Sequence, residues 1–110
     1  MNREDYSETE LEILRNIDSD PHLTQRKIAK ELNISLGKTN YLIKALLEKG
    51  LLKIKNFKTS ENKLGYLYVL TPEGITIRRK LTALFLQRKS EEFDKLKKEI
   101  EKLTKDDENK

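Results

Sequence analysis

The most restrictive feature of this sequence is a pair of short, capped helices with almost no chain between them. Thr24 stands as an N-cap ahead of a helix running from Gln25 to about Leu32, with Ile28, Ala29 and Leu32 on its inner face. Asn33 tolerates the left-handed conformation of a tight turn, and Ile34 follows as an apolar plug. Ser35 then caps a second helix, which carries Leu42, Ile43, Leu46 and Leu47 and stops at Gly50. Two short helices joined by about three residues form a helix-turn-helix pattern.

The flanking segments fit around that pair. Ser7 followed by Glu10 is a capping-box signature, and Leu11, Ile13, Leu14 and Ile17 continue it as an apolar helical stripe. Asp18-Ser19-Asp20-Pro21 ends that helix. After Gly50, Leu51–Phe57 alternates from Leu52 onward, and Leu64–Leu70 is rich in β-forming residues. The polar run Lys58–Lys63 lies between them, so the segment reads as a hairpin. The pattern does not say which face of the second strand points inward. Thr71-Pro72-Glu73 opens a further helix with a cap, a proline at the first position and an acid in the first turn. Gly74 weakens it slightly. No later Pro or Gly interrupts the chain, so one long helix or two stacked ones extend to about Thr104, with a polar, frayed tail from Lys105.

The expected fold class is mainly α with a small β-hairpin wing: a winged helix-turn-helix followed by a long C-terminal helix suited to coiled-coil dimerisation. Residues 1–71 form the DNA-binding domain, 72–104 the dimerisation segment and 105–110 the tail. Leu86, Phe93, Leu96, Ile100 and Leu103 follow a 3–4 alternation, with Lys89 in the one polar seam position. Glu92 and Lys97 flank that seam with opposite charges. The competing reading folds this helix back on its own wing domain.

Charge distribution adds a functional constraint. The net charge of +4 conceals an acidic start, net −5 over residues 1–20, and a basic middle, net +7 over residues 21–66. Basic blocks attract polyanions, although a Lys-rich solubility surface gives the same count. The chain has no Cys and a single His, His22, beside Pro21 in a turn. No nucleophile–base set is apparent, and Gly37-Lys38-Thr39 lacks the upstream glycine and strand of a phosphate loop. No catalytic residue, metal site or cofactor is therefore expected. Nothing in the sequence reads as a signal peptide or membrane span, so the expected location is cytoplasmic, in association with the nucleoid.

In a helix-turn-helix the second helix lays its N-terminal residues along base edges. Here those are Ser35, Leu36, Gly37, Lys38, Asn40, Tyr41 and Lys44. Asn40 suits a bidentate contact to adenine, Lys38 the acceptors of guanine and Leu36 a thymine methyl. Lys44 suits a phosphate, Gly37 allows close backbone approach, and Tyr41 is either a phosphate contact or partial core. Gln25 and Arg26 stand at the N-terminus of the preceding helix, where backbone N–H groups favour phosphate. Lys58 and Lys63 on the 57–65 wing are placed to straddle the backbone or enter a minor groove.

From the helix pair through the wing, the sequence resembles the MarR-type winged-helix regulators. The stretch Ser35–Leu52 looks like their recognition helix running into the first wing strand, and Tyr68–Gly74 looks like their wing-to-helix junction. Leu81–Lys89 and the tail look closer to short members associated with bacterial exopolysaccharide gene clusters. The resemblance implies a homodimer on pseudo-palindromic double-stranded DNA near promoters, usually a repressor. The chain is shorter than the larger members and has a short wing without an arginine at its tip, which weakens any inference of small-molecule sensing or minor-groove insertion. The alternative is a winged-helix protein-interaction module with little DNA affinity.

Overall fold

Ser7 opens the first helix, α1 (Glu8–Ser19), with both halves of a capping box. Its Oγ accepts from the Glu10 N–H at 3.1 Å, and its own N–H donates to Glu10 Oε1 at 3.2 Å. The computed structural model describes residues 7–58 and 64–109, and for 57, 58 and 64–66 the backbone alone. The order is α1, α2 (Gln25–Leu32), α3 (Leu36–Glu48), β1 (Leu52–Lys58), β2 (Leu64–Leu70) and α4 (Pro72–Glu108). This is the winged helix with a long C-terminal helix that the sequence predicts.

Local chemistry sets the boundaries of α2 and α3. Thr24 Oγ1 accepts from the Lys27 N–H at 3.2 Å, and Ser35 Oγ from the Lys38 N–H at 3.0 Å. Asn33 adopts the left-handed conformation between them, φ 56°. The crossing buries Ile13, Leu14 and Ile17 of α1, Ile28 of α2, and Ile43 and Leu46 of α3. Thr39 is equally buried, and its hydroxyl donates to the Ser35 carbonyl at 2.9 Å, so no polar group is stranded there.

The strands pair antiparallel, with Leu52 opposite Leu70 and Ile54 opposite Tyr68. Residues directly opposite share a face. Leu52 and Tyr68 are buried, so that face is the inner one. Ile54 lies on it too but is 49% exposed, because the ribbon is leaving the body at that level.

Helix α4 is one continuous element. It runs past Thr104 to Glu108, so the residues from Lys105 that were expected to fray remain helical. Nothing between Lys105 and Glu108 breaks a helix. Gly74 and Leu81 are buried, and Ile77 and Phe85 pack against the core. Beyond Phe85 every described residue is exposed.

Two further features fix how α4 leaves the body. Thr71 caps it by accepting from the Gly74 N–H at 3.0 Å, while its own hydroxyl donates to the Gly50 carbonyl at 2.6 Å. The Thr71 N–H donates to the Leu51 carbonyl at 3.0 Å. A Cβ on Gly74 would lie far inside contact distance of the Leu51 carbonyl oxygen and 3.0 Å from its carbon. The glycine therefore exists for backbone approach, a reason worth more than the small helix penalty it carries. Charge supplies the second feature: Asp18 Oδ2 lies 3.1 Å from Arg78 Nε, and Glu8 Oε1 lies 3.8 Å from Lys89 Nζ. The acidic start of the chain thus finds partners on α4. The Glu8–Lys89 pair is exposed and contributes roughly 0–1 kcal/mol, whereas Arg78 is half-buried.

Candidate nucleic-acid interface

Helical geometry sorts the residues of α3 into two faces. Thr39, Leu42, Ile43 and Leu46 point into the core. Gly37, Asn40, Tyr41 and Lys44, at i, i+3, i+4 and i+7, share one outer face and are all exposed. Leu36 and Lys38 border that face and are also exposed. Tyr41 is 72% exposed, which resolves its two readings: it belongs to the outer surface and not to the core. Nothing lies within 4 Å of the position where a Gly37 Cβ would stand, so the first turn of α3 presents open backbone. Ser35 spends its acceptor on the Lys38 N–H, and its O–H remains a donor for a ligand.

The outer face carries positive charge. Among the described residues, no acidic side chain engages Arg26, Lys38 or Lys44. Other cations are held within the chain: Lys49 Nζ lies 3.5 Å from Glu10 Oε2, and Arg78 and Lys89 pair with α1. Arg26 is exposed in the first turn of α2, on the side where the free N–H groups of a helix N-terminus collect.

Gln25 is used differently from the expectation at its position. Its Nε2 donates to the Tyr68 hydroxyl at 2.9 Å, and its Oε1 accepts from Asn40 Nδ2 at 3.1 Å. The side chain is half-buried and joins α2, α3 and β2 through one amide. An Asn amide has two N–H donors and one carbonyl. The bond to Gln25 uses one N–H, which leaves the other N–H and the carbonyl that adenine recognition requires. Sequence reasoning missed this chain of contacts because Tyr68 is 43 positions from Gln25 and no local pattern links them. The two wing lysines are not brought into this picture: the Lys58 side chain and all of Lys63 lie outside the described residues.

The second set of predicted residues lies on α4. Leu86, Phe93, Leu96, Ile100 and Leu103 are between 54% and 66% exposed along the part of the helix that extends beyond the body. Phe93, Leu96 and Ile100 line a shallow apolar groove, with Lys97 and Glu101 at its edges. The helix does not fold back onto the winged body.

Among the described residues no three His, Asp or Glu side chains are grouped to hold a metal, and none of the described helices is long and apolar enough to cross a membrane. His22 is exposed, with its backbone N–H donating to Asp20 Oδ1 at 3.0 Å.

Residues 6–53 match the family described as winged helix-turn-helix DNA-binding. No curated protein gives a significant match to the chain. Among solved structures, the PcaV transcriptional regulator of Streptomyces coelicolor, in complex with its natural ligand, superposes with a TM-score of 0.62 at 19% identity, over 76% of this chain and 58% of that one. FabT of Streptococcus pneumoniae, in complex with DNA, gives 0.58 at 23% identity, over 82% and 62%. MepR, a transcription regulator of the Staphylococcus aureus multidrug efflux pump MepA, gives 0.62 at 21% identity, over 92% and 79%. The chain spans about three-fifths of the length of the first two. The shared fold is the winged helix-turn-helix.

Proposed function

We propose that this chain is a sequence-specific DNA-binding transcription regulator that acts as a homodimer, with α3 in the major groove. The observation that carries the reading is the outer face of α3. Asn40, Tyr41 and Lys44 are exposed together on the second helix of a helix-turn-helix, beside Lys38 and Arg26, whose charges no acidic side chain among the described residues engages. The match to a DNA-binding winged-helix family over residues 6–53 and the likeness to FabT, solved in complex with DNA, support the same assignment.

In this reading Asn40 and Lys38 contact base edges, while Lys44, Arg26 and the N-terminus of α2 engage phosphates. Gln25 holds Asn40 in place. The seam from Leu86 to Leu103 pairs two copies, so that two recognition helices read a pseudo-palindromic site with half-sites one helical turn apart or a multiple of it. The 57–65 wing meets the backbone or minor groove. The protein works as a repressor in the cytoplasm by occupying its site, and no catalytic step is part of this function.

Selection of bound sequences from a random duplex pool tests this directly. The expected result is an enriched, symmetric motif. The selected site should lose roughly 10³-fold in affinity between 50 and 200 mM salt, as a protein neutralising several phosphates does. Recovery of no motif, with weak and salt-insensitive binding, would overturn the reading in favour of a protein-interaction module.

A further inference from the structure

The exposed half of α4 carries information about how a second copy approaches. In heptad terms Leu86, Phe93 and Ile100 take the a positions, and Lys89, Leu96 and Leu103 the d positions. Glu92 and Glu99 then occupy g, and Lys97 and Thr104 occupy e.

These flanks are not neutral with respect to direction. In a parallel pair each g residue faces the e residue of the following heptad on the partner, which sets Glu92 against Lys97 on both sides of the seam. In an antiparallel pair g faces g, which sets the acidic Glu92 and Glu99 against each other.

The body reaches this face at Lys89, whose Nζ lies 3.8 Å from Glu8 Oε1 of α1. Leu81, buried against the core, and Leu86, the first seam residue, are separated by about 140° around the helix axis. A partner helix can therefore lie along the seam from Phe93 onward without displacing the winged body, and at Lys89 it competes with an exposed ion pair.

We infer that two copies pair through residues 86–103 as a parallel, in-register coiled coil, with both winged bodies at the same end. This rests on the dimer reading above and gives it a direction. Antiparallel pairing about the middle of the seam would instead place the two winged bodies at opposite ends of the coil.

The natural chain contains no cysteine, so single introduced thiols report pairing without background. Under mild oxidation, the full chain carrying Leu103→Cys should form a disulfide-linked homodimer. An equimolar mixture of differently tagged Leu86→Cys and Leu103→Cys chains should give no mixed Leu86→Cys/Leu103→Cys species. Predominant formation of that mixed species would establish antiparallel pairing and overturn the inference while leaving the dimer intact. A dimer by light scattering with neither link would overturn it as well, by placing the interface elsewhere. A monomer at micromolar concentration would overturn the dimer reading itself. As a variant that keeps the apolar seam, Lys97→Glu should weaken dimerisation about tenfold, and combining it with Glu92→Lys should restore it; unchanged dimerisation in the single variant would count against the parallel register.

Discussion

Asn40 Nδ2 donates to Gln25 Oε1 at 3.1 Å, joining two helices across 15 positions of sequence. The contact converts an exposed amide on a recognition helix into an aimed one. A free Asn side chain must lose rotamer freedom when it meets a base, and here part of that ordering precedes binding.

Asn40→Ala should therefore cost about 1–3 kcal/mol on the preferred site and relax the preference for adenine at one position of each half-site. Lys44→Ala should weaken binding to all sequences nearly alike and reduce the salt slope by about one. Titrations on the selected site and on single-base variants of it separate the two outcomes. If neither substitution changes binding, the outer face of α3 is not the reading surface.

Tyr68→Phe removes only the hydroxyl to which Gln25 donates. Stability should fall by about 1 kcal/mol, the usual net worth of one hydrogen bond. Discrimination at the position read by Asn40 should fall while affinity for unrelated sequence is retained. In an Asn40→Ala background the same change should have no further effect on discrimination, and a double-mutant cycle measures that directly.

Gly74→Ala sets two effects in opposition. Alanine is the better helix former by about 1 kcal/mol. A methyl group directed at the Leu51 carbonyl forces backbone movement, which costs about 1–3 kcal/mol or more. Net destabilisation in urea unfolding is expected. A stabilised variant would mean that α4 can shift on the body without penalty.

Thr71→Val keeps the size of the side chain but removes both the cap on Gly74 and the bond to the Gly50 carbonyl. The expected loss is about 1–2 kcal/mol, read from the denaturation midpoint. Binding should weaken only where unfolding has begun.

The parts of this fold that were legible in sequence are those decided within four residues. The caps at Ser7, Thr24, Ser35 and Thr71 are local, and each makes in the structure the bond its residue type suggests. The apolar stripe of α1 is local too. What could not be read depends on chain segments that meet only after folding. Nothing near Tyr68 says that it faces the core or that Gln25 will donate to it. The acidic start looked like a simple contrast to the basic middle until Asp18 and Glu8 were seen beside Arg78 and Lys89. Gly74 looked like a mild defect in a helix because its neighbour, Leu51, is distant in sequence.

The joint between Gly74 and Leu51 bears on how the two reading heads could be controlled. Backbone meets backbone there, and no side chain lies between to yield when the helix turns. A lever clamped this close to its fulcrum carries angle faithfully. In the proposed dimer, whatever twists or splays one α4 against its partner, whether a ligand, a second protein or temperature, would be delivered to α3 as a change of pitch. Control of this molecule could then be exercised from the far end of α4, well away from the bases.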